Sequence, residues 1–188
     1  MIEDDVIELL HQVRPLDRRP LQIVPASEEE LRRFERIHGM TLPGELKSWF
    51  RHCNGANVNP GGLESLFPRN ETVCLDWHFK QYPAWKQKGW FPLGSDGCGD
   101  LYIAMTQITI PASGTHPICF LDQSDFAKPR YAVASGVWKF LYMLLQTQVL
   151  HDQGKEVYWP FSKAAVLDVD PALGECRELP LPWEIEDE

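Results

Sequence analysis

Two aspartates in a glycine-rich segment are the residues whose types and spacing point most directly to chemistry. Asp96 and Asp100 lie four positions apart in the sequence GSDGCGD, residues 94–100, between apolar runs at residues 90–93 and 101–105. Glycine reaches positive φ without steric cost, and Asp and Ser side chains bond nearby backbone amides. The pattern therefore predicts a β-hairpin with a tight acidic turn. Both carboxylates are expected to stand on one exposed rim.

Four interpretations of this carboxylate pair stay open from the sequence. A calcium loop of the EF-hand kind needs alternating oxygen ligands and a distal glutamate, whereas this segment offers only two carboxylates. A catalytic pair formed by Asp96 and Asp100 needs a pocket and shifted pKa values. The third interpretation is a structural turn in which the aspartates cap local amides. The fourth is a rim that binds a protein partner, since loops on a rigid scaffold are common binding elements.

Motifs for other kinds of site are missing. The sequence contains no CxxC or HxxxH pair, no nucleophile elbow GxSxG, no P-loop and no GxGxxG turn. Its cysteines are odd in number and widely spaced, which predicts free thiols in a reducing cytoplasm. They are Cys53, Cys74, Cys98, Cys119 and Cys176. No motif supplies a base for Cys98, the cysteine in the turn. We therefore expect no enzymatic activity, no cofactor and no bound metal.

Size and charge narrow the class of protein further. The chain has 188 residues, an apolar fraction of 44% and a formal net charge of −9, as is typical of a soluble globular domain. No apolar run approaches the roughly 20 residues that span a bilayer, and the acidic N-terminus is unlike a secretory signal. The negative charge argues against nucleic-acid binding and favours a basic protein partner. We expect a cytoplasmic protein.

The elements that must position the rim begin with three helices. Residues 2–13 place apolar side chains at helical spacing behind an acidic first turn. Ser27 and Glu30 form a capping box for the next helix, and Gly39 suits its end. The buried stripe expected for that helix is Leu31, Phe34 and Ile37. Pro43 suits the start of a third helix.

Short extended segments follow, and a long helix closes the domain. Besides the two arms of the hairpin, the predicted strands are residues 72–77, 106–110, 117–121 and 131–134. Ser135 is expected to cap a helix over residues 137–149. This helix is apolar on more than one face, so it should be covered on two sides. The tail, through residues 157–161 and a strand-like segment at 164–169, is the expected second cover.

This order predicts the α+β class. The expected architecture is a mainly antiparallel sheet, with N-terminal helices and a closing C-terminal helix packed on one face.

Four segments, in this order, resemble the SUKH superfamily, which includes the fungal cell-wall synthesis regulator domain and many bacterial immunity proteins. They are LPGELKSWFRHCNG, WFPLGSDGCGDLYIAM, PICFLDQ and RYAVASGVWKFL, and the resemblance covers roughly residues 27–146. The positions that match are Leu42, Pro43, Leu46, Trp49, Asn54, Gly55, Gly94, Ser95, Asp96, Gly97, Gly99 and Asp100. Cys98 stands where a third glycine is common in the family. The resemblance implies a non-catalytic α+β fold that binds other proteins, and bacterial members typically neutralise a toxin, often a nuclease, encoded beside them.

The resemblance also suggests how the chain is organised. We expect an N-terminal helix and connector at residues 1–26, a SUKH-like domain at 27–149, and a C-terminal extension at 150–188 packed on the same domain. The extensions lie outside the family pattern.

The leading hypothesis is an immunity protein that neutralises a basic toxin by direct binding. Its expected contacts are carboxylates of the hairpin and the neighbouring loop, together with two tryptophans that could anchor an interface. They are Asp96, Asp100, Asp122, Asp125, Trp85 and Trp90. One alternative is a regulatory or scaffold domain of the same fold that binds a host protein. Another is an enzyme that uses Asp96 and Asp100.

Overall fold

A computed structural model describes residues 2–13, 23–68, 74–155 and 162–185 of the chain. Helices precede and follow one antiparallel sheet, so the predicted α+β class is confirmed. The elements are α1 Ile2–Gln12, α2 Glu28–His38, α3 Gly44–His52, α4 Leu75–Gln81, α5 Ala84–Lys88, β1 Trp90–Ser95, β2 Leu101–Met105, β3 Ile118–Leu121, β4 Tyr131–Ala134, α6 Val137–Asp152 and α7 Lys163–Val169. Two 3₁₀ turns follow, at Pro171–Glu175 and Pro182–Glu184.

The sheet is an antiparallel meander in the order β1-β2-β3-β4. The predicted hairpin is its first pair, with a register shift between Pro92 and Gly94. Both outer strands carry additional backbone partners. The N–H of Glu64 donates to the Leu93 carbonyl at 2.8 Å beside β1, and the N–H of Ala132 donates to the Pro180 carbonyl at 2.9 Å beside β4. Segments that cover a sheet edge in this way protect it from pairing with another chain.

The caps of α2 are those that the sequence predicts. The Ser27 hydroxyl accepts the Glu30 N–H at 3.2 Å, and the Glu30 carboxylate accepts the Ser27 N–H at 2.9 Å. Gly39 ends the helix at φ 63°. The predicted buried stripe is wrong at one position, because Ile37 is 51% exposed. α2 packs on its neighbours through Phe34, so Ile37 lies beside the contact rather than within it.

Helix α6 is covered on two sides, as its apolar composition predicts. One face packs on the sheet, where the Phe140 ring lies 4.9 Å from the Tyr102 ring of β2. α1, together with α3, packs on α6 as well. The expected cover at residues 157–161 lies outside the described residues. None of the helices in the described ranges is long and apolar enough to span a membrane.

Three predicted strands are wrong. In the described part of 72–77, Cys74 Sγ accepts the Trp77 N–H at 3.4 Å, and this cap begins helix α4. At 106–110, the Ile108 N–H donates to the Met105 carbonyl at 3.2 Å, which closes a turn, while the N–H and the hydroxyl of Thr106 both donate to the Gly89 carbonyl, at 2.9 and 3.0 Å. At 164–169 the chain is helical, because the Ser162 hydroxyl caps α7 through the Ala165 N–H. In the first and third cases a local side-chain cap begins a helix in place of the extended backbone.

Residues that flank the central elements contribute to the same hydrophobic core. Val6 and Leu10 of α1 are 0% and 1% exposed, and Leu173 and Leu181 near the C-terminus are equally well packed at 0% and 4%. Burying such side chains contributes roughly 1.5–3 kcal/mol each. Both flanking segments therefore help to stabilise the sheet that carries the hairpin.

Candidate functional site

The carboxylate of Asp96 organises the tip of the hairpin. Its Oδ1 accepts the N–H of Cys98 at 2.8 Å and the N–H of Asp100 at 3.0 Å. The Asp96 N–H in turn donates to the Asp100 carbonyl at 3.2 Å. This is the structural turn among the four interpretations, since the aspartate satisfies backbone donors that the strands leave free.

Asp100 joins the hairpin tip to the loop between β3 and β4. Its Oδ1 accepts the backbone N–H of Gln123 at 2.8 Å, and the Gln123 side-chain amide donates to the Cys98 carbonyl at 2.7 Å. Gly99 adopts φ 110°, and a Cβ there would lie 2.6 Å from the Gln123 amide oxygen. The two loops are therefore in direct contact, and a side chain at residue 99 would have to displace the Gln123 amide.

The β3–β4 loop contributes the other two predicted aspartates. Asp122 Oδ1 accepts the Ser124 N–H at 2.8 Å, and its Oδ2 lies 3.4 Å from the Arg130 guanidinium. Asp125 is exposed and accepts the Ala127 N–H at 3.0 Å. The structure thus brings the four predicted carboxylates together at one end of the sheet. We call this set, Asp96, Asp100, Asp122 and Asp125, the acidic rim.

The electrostatics of the acidic rim differ from one carboxylate to the next. Partial burial, together with the charges of Asp96 and Asp122, raises the pKa of Asp100 above its ordinary value, although the Gln123 N–H opposes that shift. Hydrogen bonds from Ser124 and the nearby Arg130 guanidinium lower the pKa of Asp122. Neighbouring carboxylates that repel each other favour binding of a cation.

A third loop supports the rim from below. The Ser95 hydroxyl donates to the Gly61 carbonyl at 2.9 Å, and the Ser95 N–H donates to the Gly62 carbonyl at 3.2 Å. Gly97 adopts φ 82°, and a Cβ there would clash with the Pro60 carbonyl oxygen. The rim is therefore held on both sides by loops that come from distant parts of the sequence.

Two basic side chains lie beside the acidic rim. Arg130 pairs with Asp122, and Lys88 donates to the Ala127 carbonyl at 3.0 Å while its ammonium lies 4.1 Å from the centre of the Trp90 ring. The rim therefore carries acidic and basic groups, with the aspartates at the loop tips.

The prediction that Trp85 and Trp90 are exposed anchors is wrong. They are only 3% and 5% exposed. Trp85 stacks on Tyr82 at a centroid distance of 4.5 Å and on His78 at 5.7 Å. Large aromatic side chains contribute most when they are fully packed, and here they fill the core between α4, α5 and β1. Neither ring is available to a partner in this conformation.

The structure also contains buried acid–base pairs that no spacing in the sequence indicates. His78 Nε2 lies 3.2 Å from Glu64 Oε1, at hydrogen-bond geometry. His38 Nε2 also lies 3.2 Å from Asp76 Oδ1, but this pair is not aligned as a hydrogen bond. Burial, with the charges of Lys80 and Lys86, lowers the pKa of His38, and Asp76 opposes this shift. The partners are 14 and 38 positions apart, so only the folded chain brings them together.

These pairs lack the groups that nucleophilic catalysis needs. Cys74 caps α4, and burial raises the pKa of its thiol, which disfavours the reactive thiolate. Among the described residues, no three His, Cys, Asp or Glu side chains are grouped as ligands for a metal ion. The pairs connect α4 to α2 and to the segment before it.

Comparison with known protein families identifies the family of the chain. A search of curated proteins finds no relative. The sequence model of the SMI1 / KNR4 family (SUKH-1) matches residues 25–143, which is more than half of the chain. The matched range includes α2 to β4, the hairpin and the acidic rim. The chain belongs to the SMI1 / KNR4 family (SUKH-1), within the superfamily that the sequence segments resemble.

Proposed function

We propose that this chain is a non-catalytic protein-binding module of the cytoplasm that acts as an immunity protein. It neutralises a cognate toxin, a basic protein such as a nuclease, by binding it directly. Family membership supports a binding role, and the acidic rim supports the choice of a basic partner. The five cysteines are free, as in proteins of reducing compartments.

One observation carries this proposal: the two rim loops are locked together by the bond from the Gln123 N–H to Asp100. Because Asp96 and Asp100 accept backbone N–H groups, the tips hold their shape before a partner arrives. A preorganised surface loses less conformational entropy on binding. Asp122 and Asp125 then project at the same end, where they can pair with lysine or arginine of the toxin.

The net charge of −9 adds long-range attraction for such a partner. Electrostatic steering raises association rates and makes them sensitive to salt. The proposal therefore predicts fast, salt-dependent association with one toxin per chain. A catalytic use of Asp96 and Asp100 is disfavoured, because the same oxygen atoms are occupied by backbone donors.

The experiment is a pulldown and a co-expression assay with the product of the neighbouring gene. The double variant Asp122→Asn, Asp125→Asn leaves Asp96 and Asp100 of the hairpin tip unchanged. It should slow association with the toxin about tenfold and reduce the salt dependence of the association rate. The matched control is Asp5→Asn, Asp168→Asn, which removes the same charge from exposed positions on α1 and α7. If the neighbouring product neither binds nor loses toxicity, the immunity function is wrong. If the two double variants associate with the toxin at equal rates, the acidic rim is not part of the interface.

A further inference from the structure

Two of the large apolar side chains that remain exposed lie away from the acidic rim. Trp77 of α4 is 45% exposed and Ile37 of α2 is 51% exposed. Trp77 follows Asp76 directly, on a helix whose residues Leu75 and Phe79 are buried. Tryptophan is enriched among the residues that dominate binding energy at interfaces, which makes the exposed Trp77 ring a candidate for contact with a partner.

The two side chains flank the contact between α2 and α4. His38, which follows Ile37, lies 3.2 Å from Asp76, which precedes Trp77. The His38 and Phe34 rings of α2 also lie 5.3 and 6.0 Å from the Phe79 ring of α4. Side chains of the two helices are therefore in direct contact, and Ile37 and Trp77 are exposed residues that adjoin this contact in the sequence.

Basic side chains accompany this pair. Arg33 lies one helical turn before Ile37, and Lys80 lies one turn after Trp77, so each shares a face with its apolar neighbour. The Arg33 guanidinium lies 4.8 Å from the centre of the Phe67 ring. We call Arg33, Ile37, Trp77 and Lys80 the α2–α4 surface.

The acidic group at this contact does not face solvent. Asp76 is 7% exposed, and its two oxygens lie 3.2 Å from His38 and 2.6 Å from Lys80. Lys80 keeps its side chain 65% exposed while it bonds to Asp76. The carboxylate therefore fixes α4 against α2, and the four side chains of the α2–α4 surface are cationic or apolar. This is opposite in sign to the chain as a whole, whose net charge is −9.

We propose that the α2–α4 surface is a second docking site, and that its occupant is an acidic protein segment with an apolar side chain that packs against Trp77. Charge complementarity selects this occupant: carboxylates of the segment pair with Arg33 and Lys80, while its apolar side chain covers Trp77 and Ile37. The site is distinct from the acidic rim, which favours a basic partner. It therefore does not depend on the proposed immunity function.

A membrane surface fits the same features less well. Binding to anionic lipids usually requires about 4–8 clustered lysines or arginines, whereas this surface offers two. The net charge of −9 also repels an anionic bilayer.

The test is selection of displayed random peptides on the full chain, with counter-selection on Trp77→Ala. We expect the surviving peptides to be enriched in Asp and Glu beside aromatic or aliphatic residues. The proposal would be overturned if the surviving peptides were enriched in Lys and Arg, or if no selected peptide depended on Trp77 for binding. Trp77-dependent binding to vesicles of mixed neutral and anionic lipids, or Trp77-dependent self-association in sedimentation, would also overturn it by assigning the surface to another occupant.

Affinities of the best selected peptide then identify the contributing residues. Trp77→Ala should weaken binding about tenfold, whereas Val24→Ala, at another exposed apolar position, should leave the affinity unchanged. Arg33→Glu should weaken binding, and the adjacent exposed Arg32→Glu, with the same change in net charge, should have a smaller effect. Equal effects of the two arginine variants would contradict the site. The rim variant Asp122→Asn, Asp125→Asn should bind the peptide normally, which separates this proposal from the immunity function.

Discussion

Asp170 accepts two hydrogen bonds from Ser135, one from the backbone N–H and one from the hydroxyl, both at 2.6 Å. Asp170 is 0% exposed and Ser135 is 2% exposed. This contact joins the C-terminal segment to the end of β4, immediately before α6. It also corrects the prediction that Ser135 caps α6. Gly136 occupies the cap position and, as a glycine, has no side chain to cap the helix, while the Ser135 hydroxyl is bonded to Asp170.

Asp170→Ala should lower the free energy of unfolding by about 3 kcal/mol or more, since it leaves a buried N–H and a buried hydroxyl without an acceptor. Chemical denaturation measures this change. Asp168→Asn, at an exposed position on the neighbouring helix α7, is the control and should leave the stability nearly unchanged. Equal stability of Asp170→Ala and the unmodified chain would show that the C-terminal segment does not hold the start of α6.

Glu45 should make the stability depend on pH. Burial raises the pKa of its carboxyl, although a backbone N–H from Val137 and the charge of His116 oppose the shift. Because the folded pKa exceeds the unfolded one, the folded state binds more protons between them, and stability falls as pH rises through the folded pKa. Glu45→Gln should therefore stabilise the chain at neutral pH.

Thermal unfolding at neutral and acidic pH tests this dependence. The difference between Glu45→Gln and the unmodified chain should shrink as the pH falls toward about 4, where an ordinary glutamate protonates. Glu175→Gln, at an exposed position, provides the comparison. A difference that is independent of pH would contradict a role for the Glu45 charge.

Gly97 should be less tolerant of substitution than Gly114, another turn glycine with positive φ. Gly97→Ala adds strain at φ 82° and a clash with the Pro60 carbonyl, so we expect a loss of about 3 kcal/mol. Gly114 has a similar φ of 68°, but a Cβ there meets nothing within 4 Å, so Gly114→Ala should lose only about 1 kcal/mol. Equal losses in denaturant unfolding would show that the 60–62 loop does not support the rim.

The thiols should differ sharply in reactivity. Cys98 is exposed at the hairpin tip, whereas Cys53, Cys74, Cys119 and Cys176 are buried. Burial raises the pKa of Cys53 to about 12 and that of Cys119 well above its ordinary value. A thiol reagent should therefore modify one cysteine per native chain and five after unfolding. Cys98→Ser should abolish the native reaction, and a second fast thiol in that variant would contradict the buried environment of the others.

Local patterns predicted the elements whose signals are complete within a few residues. Ser27, Glu30 and Gly39 define both ends of α2 in the sequence and in the structure. The glycine-rich segment likewise predicted the hairpin and its acidic turn. At residues 106–110, by contrast, alternating Thr and Ile suggested a strand. In the structure the Thr106 hydroxyl donates to the Gly89 carbonyl, 17 positions away. An alternating pattern has no means of indicating such a partner.

For the candidate site, too, some features could be predicted from the sequence and others could not. Its four aspartates were predicted from the sequence, because turn residues between apolar runs mark exposed loops. The rigidity of the rim could not be predicted from the sequence, because the hydrogen bond from the Gln123 N–H to Asp100 joins residues 23 positions apart. Trp85 and Trp90 were placed on the surface in error, since burial depends on which elements pack over a side chain.

By itself the sequence determined the family, the α+β class, the caps of α2 and the acidic turn, since each of these depends on residue types at short spacing. Only the tertiary structure decided which surfaces are exposed and which distant groups meet. Long-range contacts placed Asp122 beside the hairpin, buried the His38–Asp76 pair between α2 and α4, and left Trp77 in solvent. The physical reason is that burial and pairing are properties of packed neighbours, and those neighbours come from remote parts of the chain.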